Sequence, residues 1–258
     1  MIQVRTFSKG KTDDRNEDYF GYNQNCFVIV DGTTDKAGKK YDNKTSGEIV
    51  SRIVVNECLN TDLNGVELVN HLNNIIKKLY NKFGILKKTK DPKYRFTCVV
   101  ICARIVKKNL IVTYLGDLGY RINGSKVYQE TIQFGVDCAE KRSKYIRETN
   151  DIEGSRKHIL PLILEQFKYQ NNPRDILGYG VIDGTKTPSK FVKTFEYNVD
   201  QIETLELFTD GYFEIPKEVS IEAWEKAYER VEKIDPDKWK KYKATKPKDD
   251  RTVAIINF

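Results

Sequence analysis

The chain lacks the features that mark membrane-spanning, secreted and zinc-binding proteins. None of its apolar runs approaches the length of a membrane span, and residues 1–10 lack the apolar core of a signal peptide. It has only two histidines, and its five cysteines are odd in number and without paired close spacing. These absences disfavour a Cys/His metal site and a disulfide framework. We therefore expect a cytoplasmic protein with reduced thiols and no membrane partner.

Linker-like runs of glycine, serine or proline are also missing, as are internal repeats. Hydrophobic residues make up 39% of the 258 residues and can supply a core, while 31% charged residues indicate a soluble protein. We therefore expect residues 1–258 to form a single domain, and we expect that domain to be a monomer.

The net charge of +7 admits nucleic acid or an acidic partner. The lysines are scattered, however, and no aromatic–basic motif accompanies them, so we expect no nucleic-acid partner. Two basic clusters stand out, at residues 87–90 and 239–248, and a solvated surface is the simplest interpretation of both. The second cluster leads directly into Asp249.

The most informative pattern is an apolar strand that ends in Asp-Gly. Cys26–Gly32 shows it first, and residues 205–211 repeat it. Alone, Asp-Gly is a common turn sequence, because both residues suit tight turns. Two further segments mirror the pattern, with acids directly before an apolar strand: Glu17-Asp18 before residues 19–22, and Asp249-Asp250 before residues 252–256.

Acids that close two strands and open two others can meet at one rim, because strand ends lie beside strand starts in an antiparallel sheet. A hairpin with residues 23–25 as its loop places Asp18 opposite Val30. The same register places Glu17 opposite Asp31. Neighbouring strands lie about 4.8 Å apart, and paired catalytic metal ions lie about 3.5–4 Å apart. A rim of carboxylates therefore suits hard cations such as Mg²⁺ or Mn²⁺.

Hydrophobic periodicity predicts an α+β fold in which two packed antiparallel β-sheets are flanked by helices on both outer faces. Thr45 and Glu48 have the spacing of a capping box, which predicts a helix start there. The predicted helices cover about 45–59, 65–83, parts of 138–171 including 158–167, and 219–233. The predicted strands after the first hairpin cover 94–106, 109–115, 118–122, 126–128, 178–182, 191–197 and 203–208.

The order of the acidic motifs resembles that of the metal-dependent protein phosphatases of type 2C, and the resemblance runs over essentially the whole chain. No single motif is specific, but their order and spacing are typical of that family. The motifs are Asn16-Glu17-Asp18, Val30-Asp31-Gly32, Gly116-Asp117, Thr209-Asp210-Gly211 and Asp249-Asp250-Arg251-Thr252-Val253.

The resemblance implies a serine/threonine phosphatase that acts on a phosphoprotein substrate. It implies that a hydroxide bridging two Mg²⁺ or Mn²⁺ ions attacks phosphorus directly, with Asp31 as the bridging carboxylate. Asp210 and Asp249 would complete the first ion's ligands. Glu17 and the carbonyl group of Gly32 would bind the second ion, with Asp18 in its outer shell, and Asp117 would join Asp210 at a possible third ion.

The chain departs from the family pattern at two positions. The arginine that the family places four residues before the glutamate is here Asp13, so Arg15 is our candidate for gripping the substrate phosphate. The histidine that often follows the Asp-Gly is missing from residues 33–36, where Lys36 is only a weak acid candidate at its ordinary pKa of about 10.4. Asp183-Gly184 imitates the motif once more, and we expect a hairpin turn there.

Two other classes of protein share part of this pattern. Asp31-Gly32-Thr33 also suggests a haloacid dehalogenase, but that class needs an aspartate nucleophile where this chain has Ile29. A phosphatase-fold binding module that has lost turnover is favoured by the missing histidine and the displaced arginine. The retained acids argue against such a module, because unused carboxylates crowded on one rim repel each other.

Overall fold

Ten strands of the described chain form two five-stranded antiparallel sheets. A computed structural model describes residues 2–258, and the first sheet has the order β1-β10-β9-β6-β7 while the second has the order β2-β3-β4-β5-β8. The strands are β1 (Gln3–Lys9), β2 (Asp18–Tyr22), β3 (Cys26–Gly32), β4 (Cys98–Val106), β5 (Asn109–Leu115), β6 (Gly119–Ile122), β7 (Lys126–Gln129), β8 (Lys193–Asn198), β9 (Thr204–Phe208) and β10 (Arg251–Asn257).

Five α-helices accompany the sheets within residues 2–258. The predicted capping box is confirmed, because the Thr45 hydroxyl accepts from the Glu48 backbone N–H while the Glu48 side chain accepts from the Thr45 N–H. Both donors would otherwise lack partners at the first turn. The helices are α1 (Ser46–Leu59), α2 (Gly65–Lys82), α3 (Gln133–Thr149), α4 (Ile152–Leu164) and α5 (Ile221–Ile234).

The core has three apolar layers, because successive residues of a strand point to opposite faces. Ile29 and Ile101 face Leu207 and the other inner residues between the two sheets. The opposite face of the second sheet packs against α1 and α2, and the outer face of the first sheet packs against Trp224 of α5. The predicted architecture, two sheets with helices on both outer faces, is confirmed.

The cysteines pack as apolar side chains. All five are free and buried, and Cys98 and Cys102 share one face of β4, as their spacing predicts. Cys26 and Cys102 place their sulfur atoms 3.6 Å apart in that layer. Over residues 2–258, no helix combines the length and the apolar character that crossing a membrane requires.

The predicted register of the first hairpin is wrong by one residue. Asp18 pairs with Asp31, not with Val30. The Asn23 N–H donates to the Cys26 carbonyl at 2.9 Å, so the turn has two central residues rather than three. Glu17 therefore lies just beyond the paired residues, where its carbonyl accepts from the Gly32 N–H at 3.0 Å.

The strand predicted at residues 178–182 is also absent from the described sheets, since only isolated bridges occur there. The Asn171 side chain explains the difference, because it donates to the Val181 carbonyl at 3.1 Å and accepts from the Val181 N–H at 3.0 Å. One amide side chain thus satisfies groups that a neighbouring strand would otherwise pair. Asp183 and Gly184 form the bend that follows, so the turn is present without a hairpin.

Candidate metal centre and phosphate cavity

Four aspartates from distant parts of the chain line one cavity of about 480 Å³ at the end of the sheets. Asp31 is the penultimate residue of β3, Asp117 lies between β5 and β6, Asp210 follows β9 and Asp249 precedes β10. The ends of β9 and β10 are joined by the Thr209 N–H, which donates to the Thr252 carbonyl at 3.0 Å. We call Asp31, Asp117, Asp210 and Asp249 the acidic rim.

The acidic rim carries more negative charge than its surroundings neutralise. Burial and repulsion among the aspartates raise the pKa of Asp31 and of Asp210 well above the usual range. Burial, partly offset by a hydrogen bond and reinforced by Asp249, raises the pKa of Asp117 to about 6. The Lys246 ammonium contacts Asp249 at 2.5 Å. Among residues 2–258, Asp31, Asp117 and Asp210 form no ion pair of their own, so the rim suits an added cation.

Asp18 supplies an independent sign of that fit. Its side chain is only 3% exposed, and its Oδ2 accepts from the Thr209 hydroxyl at 2.8 Å. Its Oδ1 is buried without a hydrogen-bond partner. Burial and the adjacent Asp31 raise its pKa well above normal. A buried, unpartnered carboxylate oxygen is costly unless a cation or water satisfies it.

Glu17, which the family resemblance implies as a ligand of the second ion, is contacted by two other side chains, and its assignment stays a prediction. Its side chain is fully buried, and both oxygens already accept hydrogen bonds. Oε1 accepts from the Thr45 hydroxyl at 2.7 Å, and Oε2 accepts from the Lys11 ammonium. Across residues 2–258, no group of three or more Asp, Glu, His or Cys side chains is arranged to hold a metal ion. That finding includes the acidic rim, but the charge and the oxygen ligands of the rim suit a cation, whereas Glu17 is already paired with Lys11.

Four cationic side chains line the same cavity, and Arg15 is not among them. Arg15 instead lies in a tight turn, where its N–H donates to the Thr12 carbonyl at 3.3 Å. Its assignment to the phosphate grip stays a prediction. The Arg156 guanidinium donates to the Thr245 carbonyl at 2.9 Å. The cationic lining residues are Lys36, Arg156, Lys243 and Lys246.

Only some of these cationic residues could be predicted from the sequence. Lys243 and Lys246 belong to the basic cluster at residues 239–248. The position of that cluster directly before Asp249 indicated that it could lie near the acids. Lys36 is a stronger acid candidate than its ordinary pKa suggests, because burial and then Arg156 lower its pKa to about 8. Arg156 carried no signal, since it sits on a helix far from every acidic motif. Lys11 was likewise missed, and only its place six residues before Glu17 pointed to it.

The segment from Asp235 to Asp250, which we call the basic loop, is ordered by side chains rather than by regular secondary structure. The Asp235 carboxylate accepts from the backbone N–H groups of Lys240 and Lys241, each at 2.8 Å. The buried Arg142 of α3 donates to the carbonyl groups of Asp237, Lys238 and Ala244, each at 3.0 Å. These contacts place Lys246 at the cavity wall.

The raised pKa of Asp117 predicts a pH-dependent stability difference. In chelator-treated protein, we expect Asp117→Asn to become more stable than wild type as the pH rises from about 4.5 to 7.5. The folded wild type retains a proton up to a pKa of about 6, whereas the unfolded chain loses it near 3.9. This contribution to stability is present at low pH and is lost as the pH rises through 6. Asparagine avoids that loss.

The expected gain near pH 7.5 is on the order of 1–3 kcal/mol in the free energy of unfolding. Urea denaturation at several pH values measures it. Asp200→Asn, at an exposed position, is the control and should show no such trend. A difference between Asp117→Asn and wild type that stays constant with pH would contradict the electrostatic explanation.

Comparison with known proteins gives structural matches only. No protein-family profile and no curated protein matches the sequence. The serine/threonine phosphatase Stp1 from Staphylococcus aureus matches at 18% identity and a TM-score of 0.55, covering 100% of this chain and 95% of that one. The phosphatase PstP/Ppp from Mycobacterium tuberculosis matches at 14% identity and a TM-score of 0.52, covering 100% and 98%.

A third match is the catalytic domain of the serine/threonine phosphatase PstP in complex with two manganese ions. It has 13% identity and a TM-score of 0.51, and the match covers 99% of this chain and 97% of that domain. Structural matches at identities this low establish the fold alone. The chain therefore has the fold of the bacterial serine/threonine phosphatases, and the resemblance to type 2C phosphatases is confirmed at that level.

Proposed function

We propose that this chain is a phosphatase that releases phosphate from phosphoserine and phosphothreonine in proteins and requires Mg²⁺ or Mn²⁺. The observation that carries the proposal is the acidic rim, whose aspartates repel one another in the wall of a cavity that also presents cationic side chains. The fold shared with serine/threonine phosphatases supports it. The two manganese ions bound by PstP support a divalent cation.

In this proposal one set of residues binds the cation and another binds the phosphate. Asp31, Asp210 and Asp249 hold the cation, with Asp117 beside them. A bound divalent cation supplies Lewis-acid activation of water and neutralises charge on the phosphate. Arg156 and Lys246 lie where they can bind phosphate oxygens, and an arginine fork suits a phosphate in two hydrogen bonds at once.

Lys36 is the candidate proton donor of the cavity, because of where its side chain lies and because of its lowered pKa. Its Nζ donates to the Thr34 carbonyl at 2.8 Å, which holds the side chain at the cavity beside the acidic rim. Burial lowers its pKa to about 8. A group with that pKa can both carry and release a proton near neutral pH. Lys36 is therefore our candidate for protonating the leaving oxygen in place of the missing histidine.

A binding module without turnover is the second candidate, and a specific observation favours it. Glu17 is already neutralised by Lys11, so the chain does not present the full ligand set that the family resemblance implies. The surviving acidic rim argues for the enzyme. Within the described chain, repulsion among its aspartates, of which only Asp249 forms an ion pair, reduces stability, and a binding module would have no use for the rim.

The deciding experiment measures phosphate released from a phosphothreonine peptide by chelator-treated protein. We expect release after adding Mn²⁺ or Mg²⁺, and none while the chelator is present. Asp31→Asn protein purified in the same way controls for contaminating phosphatases. Undiminished release in chelator would refute metal dependence. Metal binding by calorimetry without any phosphate release would favour the binding module.

A further inference from the structure

Lys11 occupies a constrained position at the edge of the candidate metal centre. It follows β1 and Gly10, and its backbone N–H donates to Asp250 Oδ1 at 2.7 Å. Gly10 permits the tight turn, because a Cβ there would lie 1.9 Å from the Arg15 carbonyl oxygen. The backbone at residue 11 is thus held against the start of β10 before the side chain makes any contact.

The Lys11 ammonium has three oxygen partners. It donates to Glu17 Oε2, to the Thr34 hydroxyl at 3.0 Å and to Asp250 Oδ2 at 3.0 Å. An ammonium group has three N–H donors, so its hydrogen-bonding capacity is filled. The Lys11 side chain is 13% exposed, and those of Glu17 and Asp250 are 0% and 3% exposed.

A divalent ion at Glu17 would have to displace that ammonium. The other oxygen of Glu17 accepts from the Thr45 hydroxyl at 2.7 Å, so the Lys11 ammonium is the charge that a metal ion would have to replace. Gly47 leaves the room that this position of Glu17 needs, because a Cβ there would lie only 2.8 Å from Oε1. Displacement would leave the buried Asp250 without its ammonium partner, and removing one partner of a buried ion pair is strongly unfavourable.

We propose that Lys11 is a tethered cation at Glu17 and Asp250, and that the site consequently binds one divalent ion, at Asp31, Asp210 and Asp249, rather than two. This inference rests on the proposed function for the presence of that one ion. It differs from the family resemblance, which implies two. A side chain cannot dissociate, so occupancy and activity should follow the Mn²⁺ concentration with a Hill coefficient of one.

Counting bound Mn²⁺ on the intact chain tests the inference without any substrate. Chelator-treated wild type is titrated with Mn²⁺ while electron paramagnetic resonance measures free ions and detects exchange coupling between bound ones. We expect one ion per wild-type chain and no exchange coupling. Lys11→Met should raise the count to two with an exchange-coupled spectrum, because Glu17 and Asp250 then lack a counter-charge and paired ions lie about 3.5–4 Å apart.

Two further variants separate the local effect from net charge. Lys9→Met makes the same charge change at an exposed residue two positions away and should keep a count of one. Lys11→Arg keeps the positive charge and should also keep a count of one. If Lys11→Met is too unstable to purify, the wild-type count still decides.

The possible counts distinguish this inference from the proposed function. Two ions per wild-type chain, or an unchanged count of one in folded Lys11→Met, would overturn the tethered cation and leave a metal-dependent phosphatase intact. No bound ion in wild type would overturn both. One ion in wild type and two in Lys11→Met would support the inference even if no phosphate were released.

Discussion

We expect Asp31→Asn or Asp210→Asn to lower metal-dependent phosphate release by about 10³-fold or more. A metal ion stabilises transition-state charge by several kcal/mol, and each 1.36 kcal/mol corresponds to a factor of ten in rate. Both carboxylates line the cavity and belong to the acidic rim. In the absence of metal, each substitution should also raise the melting temperature, because it removes one of several repelling charges.

Asp183→Asn is the matched control for these variants. Asp183 also precedes a glycine, but it pairs with Arg95 at 3.0 Å and does not line the acidic cavity. Its substitution should reduce stability and leave turnover near normal. Steady-state kinetics and thermal denaturation measure both effects. Near-normal turnover in Asp31→Asn would reject the metal assignment, and a collapsed fold would identify Asp31 as a structural turn residue.

The second large effect concerns the phosphate grip. We expect Arg156→Ala to raise KM for a phosphothreonine peptide by roughly ten- to hundredfold. A hydrogen bond to a charged group contributes about 1.5–3 kcal/mol, and about 1.4 kcal/mol corresponds to a factor of ten in binding. Arg156 lines the cavity with the acidic rim. The affinity of the Arg156→Ala protein for Mn²⁺ should hardly change, because arginine is not a metal ligand.

Arg15→Ala is the comparison that decides between the two arginines. Arg15 is the sequence-based candidate but does not line the cavity. If Arg15 grips the phosphate, its substitution will raise KM and Arg156→Ala will not. Unchanged KM in both variants would reject both residues and leave Lys246 as the next candidate. Arg156→Lys should recover only part of the affinity, because an ammonium lacks the planar fork.

The sequence was sufficient to place the acids together because the information was local. Each acid lies at or beside the end of an apolar strand of recognisable period, as at Asp31 in the last two residues of β3 and at Asp249 and Asp250 before β10. Strand direction in an antiparallel sheet then brings the ends together. The capping box at Thr45 was predictable for the same reason, since its partners are three residues apart.

What could not be predicted depends on small or distant interactions. The hairpin register depends on the turn that the hydrogen bond between Asn23 and Cys26 closes. A shift of one residue in that register changes which acids face each other. The missing strand depended on the Asn171 amide. Lys11 meets Asp250 across 239 positions of sequence. No periodicity encodes such a contact, so its role emerges only from the folded chain.

The basic loop has a consequence for the entropy of ligand binding. Its backbone is held in place by Asp235 and Arg142, although residues 235–250 contain neither strand nor helix. A preorganised segment loses little conformational freedom when it binds a ligand. If the proposed function holds, Lys246 would meet the phosphate on a backbone that is already ordered, and little of the binding free energy would be spent on ordering the loop.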